Sequence, residues 1–384
     1  MLFQDIPGLE STKRHLTKSV QNQHVAHAQL FHGPVGGAQL AMAIAFISYL
    51  FCQNKNDSDA CGTCPSCQKV RKGIHPDVVY LFPSATNKKI TKDPESDLFL
   101  PEWRQFILET PYRTIADWLT FIGVEGLKQG NIPVLDIRKL ASKTSIKPFE
   151  APFRVVLIWN SELLHPSSGN ALLKNLEEPP PGTLYILVCS DTSKLLTTIL
   201  SRTQRINIPS VEAEQMANFL VKQQSIEQEK ALQIAWNTEG NISLAIDKAK
   251  NENLTMSTWF SEWMRAVYSK NLTKLVSLAD KFDALAKNDQ KALLIHGLYI
   301  FRQCVYQITG AQQLIKSLDQ EKAFIANFAK TLSPEIIGMM SEKMSAVHYH
   351  LERNGRAKIL HLDLSLNLIK IFSSAKKLQT NAKN

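Results

Sequence analysis

Four cysteines have the spacing of metal ligands. Cys52 is followed by Cys61, Cys64 and Cys67 in a C-x8-C-x2-C-x2-C pattern. A zinc ion in a structural site takes four ligands in a tetrahedron, and a C-x2-C turn lets two sulfurs converge on one ion. Because thiolates would fill all four positions, none remains for a catalytic water. The spacing therefore predicts a structural zinc site, with disulfide pairs or free thiols as the alternatives.

A glycine-rich stretch has the frame of a phosphate-binding loop without its reactive residues. In the motif G-x-x-x-x-G-K-[ST], backbone N–H groups cradle phosphates, the Lys reaches the outer phosphates and the hydroxyl holds magnesium. The frame is kept as Gly33, Gly36 and Gly37, whereas the final Gly, the Lys and the hydroxyl are replaced by Ala38, Gln39 and Leu40. We predict that this loop supports no ATP hydrolysis. On the loop alone, a simple glycine-rich turn is the alternative.

The second half of such a site is also altered. In nucleotide-hydrolysing folds, one strand ends in acidic residues that hold magnesium and orient the attacking water. The corresponding strand here ends in Trp159 and Asn160. Both halves of the catalytic site are therefore predicted to be inactive.

One cation remains that could act on a phosphate. Ser201 and Arg202 stand just before the last predicted strand. An Arg in such a loop is usually solvated or ion-paired. It can also be an arginine finger, which presents a planar cation to the γ-phosphate bound by a neighbouring subunit.

The elements that position these residues follow from the apolar pattern. A short strand at Gln29–Phe31 enters the glycine loop, and an apolar helix at Ala38–Phe51 follows it. Further strand-like runs are apolar on both faces, as in strands covered by helices on each side: Asp77–Phe82, Arg154–Trp159, Thr183–Cys189 and Arg205–Ile208. The pattern predicts an α/β fold around a mostly parallel sheet of five strands.

Two further regions flank this predicted sheet. Residues 84–131 are a longer amphipathic insertion, and its aromatic residues are predicted to pack on the core: Trp103, Phe106, Trp118 and Phe121. After Pro209 the strand pattern ends and short helices follow, with a predicted capping box at Ser225–Gln228. We predict three domains: an α/β domain at 1–208 with a zinc insert at 52–67, a helical lid at 209–254 and an all-α domain at 255–384.

The composition is that of an ordinary globular protein. The 384 residues are 44% hydrophobic and 21% charged. Met1–Gly8 lacks the layout of a signal peptide, and no apolar run reaches the ~20 residues that span a bilayer. We therefore expect a cytoplasmic protein without a membrane partner, in a compartment that disfavours disulfides. The net charge of +9 permits an anionic partner, although the charge is dispersed.

Several segments together resemble the bacterial clamp-loader subunits of the AAA+ class. The resemblance extends over about residues 1 to 250 and is carried by the four-cysteine insert and by further runs: His27–Pro34, His75–Asp77, Gly169–Pro179 and Ile199–Arg202. It implies an AAA+ α/β domain with a small helical lid and an all-α collar domain for oligomerisation. The motor subunits of this family, gamma and tau, keep the Lys, the Thr and the Asp-Glu pair that this chain lacks.

The resemblance therefore implies a non-hydrolysing member of the complex that loads the ring-shaped sliding clamp onto primed DNA. It implies gamma, tau and delta subunits as partners, with the clamp and primed DNA reached through the assembled complex of a replicative DNA polymerase. It also implies that Arg202, with Ser201, serves ATP on an adjacent motor subunit, while ATP is neither hydrolysed nor bound at this chain's own loop. Two positions depart from the family: Thr203 replaces the Cys of Ser-Arg-Cys, and Ser243 replaces a sensing Arg.

Two other functions fit parts of the sequence. The glycine frame would suit an active ATPase like gamma or tau. The cysteines and the positive charge would suit a stand-alone zinc-containing DNA-binding protein, but the linker after Cys67 carries few cations and no base-reading helix of the finger type.

Overall fold

The computed structural model describes residues 1–125, 128–250, 256–317, 319–353 and 355–381. The chain divides into two compact units, one of Met1–Gln228 with Thr238–Ile246 and one of Glu229–Asn237 with Asp247–Asn384. The predicted boundary between residues 254 and 255 lies outside the described residues. The three-domain division stays a prediction.

The first unit is built on a parallel sheet of five strands within the described residues. In chain order these are β1 (Ala28–His32), β2 (Val78–Leu81), β3 (Arg154–Trp159), β4 (Thr183–Cys189) and β5 (Gln204–Asn207). They lie in the order β2-β3-β4-β1-β5. Since His32 pairs with Cys189 and Trp159 pairs with Val188, the carboxyl ends of the three central strands meet at one edge. The loops after these strands form the site of interest, as expected for an open α/β sheet.

Helices cover both faces of the sheet. In chain order, the helices up to residue 250 are α1 (Glu10–Gln21), α2 (Gln39–Phe51), α3 (Pro65–Arg71), α4 (Leu100–Glu109), α5 (Ile115–Phe121), α6 (Val134–Thr144), α7 (Pro166–Glu177), α8 (Thr197–Leu200), α9 (Ala213–Gln224), α10 (Gln228–Thr238) and α11 (Ile242–Lys250). Helix α2 is buried along its whole length, and its Phe46 ring lies 5.9 Å from that of Phe31 in β1. On the other face, α6 and α7 pack on each other, and their Leu140 and Leu172 belong to one buried cluster with residues of β1 and β4. The predicted α/β fold around a parallel sheet is confirmed.

The insertion at 84–131 packs against the ends of β2 and β3. Trp103 and Trp118 are completely buried, as the sequence predicted. The Trp103 ring stacks on Phe82 at 4.4 Å and lies 5.2 Å from the ring of Trp159. Trp118 Nε1 donates a hydrogen bond of 2.7 Å to the carbonyl of Pro83. The insertion therefore extends the core beyond the strand that ends in Trp159.

The second unit is helical throughout its described residues. After the parts of α10 and α11 that belong to it, it contains α12 (Met256–Tyr268), α13 (Leu272–Asp283), α14 (Lys287–Ile308), α15 (Asp319–Ala329), α16 (Pro334–Glu352) and α17 (Ala357–Asn381). Phe260, Trp263 and Leu293 are central to its core. Asn271 caps α13 by accepting from Lys274 N at 3.0 Å. Among the described residues, no helix combines the length and hydrophobicity needed to cross a bilayer.

Candidate functional site: an altered nucleotide loop, a four-cysteine centre and an exposed arginine

The structure brings the four predicted metal ligands together. The sulfur atoms of Cys52, Cys61, Cys64 and Cys67 all lie within 4.8 Å of one another. Cys52 directly follows α2, while Cys64 is the N-cap of α3 and Cys67 lies in its first turn. Four sulfurs at about 2.3 Å from a tetrahedral zinc ion would be separated by about 3.8 Å. The cluster is therefore close to the size that a zinc ion requires.

Hydrogen bonds in this centre favour thiolates. The N–H groups of Cys61 and Cys64 donate to the sulfurs of Cys52 and Cys61 at 3.2 and 3.3 Å. The bond from Cys64 N, with donors on Thr63, lowers the pKa of Cys61 to about 6. Burial raises the pKa of Cys52 and of Cys67 in the absence of a cation. A metal ion would reverse that burial effect, because a coordinating thiol is deprotonated.

The glycine loop follows β1, and the side chain of the first residue of α2 makes a hydrogen bond back to it. Gln39, where an active loop has Lys, turns back so that Nε2 donates to the carbonyl of Pro34 at 2.6 Å. Gln39 and Leu40 are both buried. Gly33 allows close packing, because a Cβ there would lie 2.1 Å from the carbonyl oxygen of Ile208. The loop keeps its shape through contacts within the protein.

The start of α11 closes the same loop from another side. The N–H groups of Ile242 and Ser243 point at the carbonyl of Gly36, at 2.8 and 3.1 Å. Gly36 has φ +72°, and a Cβ there would lie 2.2 Å from Oδ1 of Asn241. Ser243, which the sequence placed at the position of a sensing Arg, is thus buried against the loop. The backbone at residue 243, and no cationic side chain, makes this contact with the loop.

At the end of β3, Trp159 and Asn160 occupy the two positions where a hydrolysing site has carboxylates. The Trp159 ring belongs to the aromatic cluster of the insertion. Asn160 is buried in a left-handed conformation with φ 48°. Glu162 lies farther on, and its Oε1 accepts from Ser190 N at 2.9 Å. Burial raises the pKa of Glu162, which that hydrogen bond opposes.

A small cavity remains between the loop and the end of β3. Its volume is about 170 Å³, and its lining includes Gly36, Gly37, Arg113, Asn160 and Lys194. Pockets that hold drug-sized ligands usually measure about 300–1,000 Å³. Arg113 comes from the segment between α4 and α5, so the insertion supplies part of the wall. This volume lies below the range that is usual for such ligands.

Arg202 lies at the surface beyond the end of α8. Its Nη1 donates to the carbonyl of Thr198 at 3.0 Å and to Oγ of Ser201 at 3.3 Å. Its Nη2 lies 2.5 Å from Oε1 of Glu177, and the Arg202 side chain is 35% exposed. The two predicted residues, Ser201 and Arg202, are therefore together and accessible.

A comparison with protein families identifies the group to which the chain belongs. The family described as "DNA polymerase III, delta subunit" matches residues 8–212, more than half of the chain. The chain belongs to this family. The clamp-loader AAA+ resemblance predicted from the sequence is confirmed.

Individual members and solved structures give more distant matches. The chain is 31% identical to DNA polymerase III subunit delta' of Pseudomonas aeruginosa over 180 residues, which cover 47% of this chain and 42% of that protein. It is 24% identical to subunit tau of Bacillus subtilis over 258 residues, or 66% of this chain and 37% of that one. The chain thus spans less than half the length of these relatives. A DNA polymerase III gamma subunit-related protein of Thermotoga maritima is 14% identical, with 95% of this chain and 99% of that chain covered at a TM-score of 0.37.

Two residues at the site of this family member were not found from the sequence. Glu177 pairs with Arg202, and Asn241 packs against Gly36. The signal for Glu177 was its place in the Leu-Glu-Glu-Pro run at the end of α7, where a carboxylate opposes the helix dipole and needs a cation nearby. Nothing in the local sequence of Asn241 indicates a contact with a glycine about two hundred residues away.

Proposed function

We propose that this chain is a non-hydrolysing clamp-loader subunit that supplies Arg202 in trans to ATP bound by a neighbouring motor subunit. The observation that carries the proposal is the hydrogen bond from the Gln39 side chain to the Pro34 carbonyl. A hydrolysing loop has a free Lys at this position to contact the phosphates, whereas Gln39 is neutral and bonded to the loop itself. Trp159 also supports the proposal, because its ring packs against Trp103 and it has no carboxylate to hold a magnesium ion. Arg202 keeps the planar cation and the surface position that an arginine finger needs.

The partners of the proposed subunit follow from its family. The relatives named tau, gamma and delta' are all DNA polymerase III subunits. We expect this chain to assemble with gamma or tau and with a delta subunit, and to act on the sliding clamp and primed DNA through that complex. Such work on the bacterial chromosome takes place in the cytoplasm.

The four-cysteine centre is proposed to hold structural zinc. Cys52, Cys61, Cys64 and Cys67 would be the ligands, and their four sulfurs leave no position for a reacting water. The ion would tie the end of α2 to the start of α3, and would supply folding energy rather than catalysis.

The test of the arginine role is the ATP turnover of the assembled complex. We expect Arg202→Ala to slow hydrolysis at the site it serves by roughly a thousandfold, and to lower total turnover by that site's share. Arg205→Ala is the matched control, because Arg205 is an exposed cation three residues along the chain. Unchanged DNA-stimulated turnover with Arg202→Ala would contradict the proposal.

The test of the inactive loop uses the isolated chain. It should hydrolyse no ATP above the buffer background. Hydrolysis that disappears in a Gly37→Ala variant would instead support the active-ATPase alternative. Tight and salt-sensitive DNA binding by the isolated chain would support the stand-alone DNA-binding alternative.

A further inference from the structure

Arg202 is held by an acidic side chain on a neighbouring helix. Its Nη2 lies 2.5 Å from Oε1 of Glu177, the last residue of α7. Its Nη1 is held by Ser201 and by the Thr198 carbonyl. Both terminal nitrogens of the guanidinium, the atoms that a phosphate would contact, are therefore already in use.

The position of Glu177 explains why the pair forms. The carboxyl end of a helix carries partial negative charge, so a carboxylate there is unfavourable unless a cation compensates it. Helix α7 ends at Glu177, Glu178 follows as its C-cap, and three prolines come next. The ion pair of Arg202 is with Glu177. Arg202 therefore stabilises the end of α7 while no phosphate is present.

The packing of α7 on α8 keeps the two residues near each other. Gly169 in α7 has no side chain, and a Cβ there would lie 2.8 Å from Cδ1 of Leu196. Ile199 in α8 is buried beside it. These close contacts hold the backbone of α7 against the backbone of α8. Only the side chains of Glu177 and Arg202 therefore have to move for the ion pair to separate.

The pair is weak enough to exchange. The side chains of Arg202 and Glu177 are 35% and 48% exposed, and ion pairs between such side chains contribute little to stability. A phosphate carries more charge than a carboxylate and accepts two parallel hydrogen bonds from a guanidinium. A carboxylate left beside the γ-phosphate would repel it, so Arg202 has to leave Glu177 when it binds a triphosphate.

We propose that Glu177 is a positioning residue that holds Arg202 in reserve until a neighbouring subunit's triphosphate displaces it. This inference rests on the proposed role of Arg202 in trans. Glu177 lowers the apparent affinity of the complex for ATP at the site that Arg202 serves, and it leaves the chemical step unchanged.

The experiment compares three variants in the complex assembled with motor subunits: Glu177→Gln, Glu178→Gln and Arg202→Ala. ATP turnover is measured against ATP concentration. Glu177→Gln should lower the apparent KM for ATP by roughly two- to fivefold with kcat unchanged, because only the competing charge is removed. Glu178→Gln, the matched loss of charge at the next residue, should keep the unaltered KM. Adding Glu177→Gln to Arg202→Ala should change nothing further.

Each result separates the two proposals. If Arg202→Ala slows turnover but Glu177→Gln and Glu178→Gln give the same KM, the finger stands and the holding role of Glu177 is wrong. A higher KM or a lower kcat with Glu177→Gln also overturns the holding role. If Arg202→Ala has no effect, the role of Arg202 itself fails. Melting temperatures of the variants show whether any of them is misfolded, in which case Glu177→Asp, with its shorter reach, replaces Glu177→Gln and should also lower the KM.

Discussion

At the scale of single residues, His361 is a buried imidazole packed among aromatic rings. Its ring lies 4.7 Å from that of Trp263 and 4.8 Å from that of Phe282. Neither ring nitrogen has a hydrogen-bond partner among the described residues. Burial lowers the pKa of His361 to about 3. The folded protein therefore holds this histidine neutral at pH values where an unfolded chain would protonate it.

This residue makes the stability of the second unit depend on pH. A histidine in an unfolded chain has a pKa of about 6.5, so its contribution is complete above that pH and is lost as the pH falls toward 3. The expected loss is about 1.4 kcal/mol per pH unit. We predict that His361→Phe loses about 1.6 kcal/mol less than the unaltered protein between pH 6.5 and pH 5, measured by urea unfolding. Parallel curves for the two proteins would contradict this prediction.

At the scale of elements, Asp77 fixes the loop that leads into β3. Its carboxylate accepts from the N–H groups of Phe149, Glu150 and Ala151 at 2.6, 2.9 and 2.8 Å. Burial alone would raise the pKa of Asp77, but these three donors lower it below its usual value. His75, two residues earlier, lies 3.1 Å from the carboxylate of Glu150. The His-Pro-Asp run is thus a clamp on the start of the strand that ends at Trp159.

We predict that Asp77→Asn destabilises the first unit by about 3 kcal/mol. The amide keeps one acceptor and turns an N–H₂ group toward backbone donors, which leaves buried groups unsatisfied. The measurement is denaturant unfolding near pH 7, together with amide hydrogen exchange at Phe149–Ala151. Asp57→Asn, an exposed position, is the control and should stay within about 0.5 kcal/mol. The Asp77 contribution should fade in the unaltered protein as the pH falls below about 4.

The positions of β3 and β4 could be predicted from the sequence, because strands buried on both faces have continuous apolar runs. The bounds of β3 and β4 were predicted correctly for this reason. The capping box at Ser225–Gln228 was wrong: Ser225 adopts φ 54° and ends α9, while Glu227 is the N-cap of α10. A serine between two helices has the same local pattern in either role. Only the packing of the helices decides between them.

The site was predictable in composition but not in its contacts. The sequence shows directly that Gln39 stands in place of the Lys, and that Trp159 and Asn160 stand in place of the Asp-Glu pair. The hydrogen bond from Gln39 to the Pro34 carbonyl and the ion pair of Glu177 with Arg202 depend on side-chain rotamers and on elements distant in the chain. Their positions follow from the sheet order and from helix packing, which local spacing does not encode.

At the scale of the whole molecule, the four-cysteine centre is the proposed link between the nucleotide loop's helix and the chain terminus. Helix α2 runs from the loop to Cys52, and α3 starts at the third and fourth cysteines. Between them, Asp59 accepts from the N–H groups of Phe3 and Gln4 at 3.1 and 2.9 Å. Loss of an ion at the centre would therefore loosen α2, α3 and the first residues together.

We predict that zinc removal lowers the melting temperature of the first unit and leaves the second unchanged. A loss of about 2 kcal/mol lowers the melting temperature of a unit of this size by about 4–8 °C, and a structural zinc ion contributes at least that much to folding. The measurement is calorimetry with and without a strong chelator, with zinc content determined by elemental analysis. Re-addition of zinc should restore the transition, whereas magnesium should not, because thiolates prefer the softer ion. Cys61→Ser should reproduce the low transition without any chelator. A purified chain that holds no zinc and melts identically with chelator would exclude the metal and leave four thiols packed by their hydrogen bonds alone.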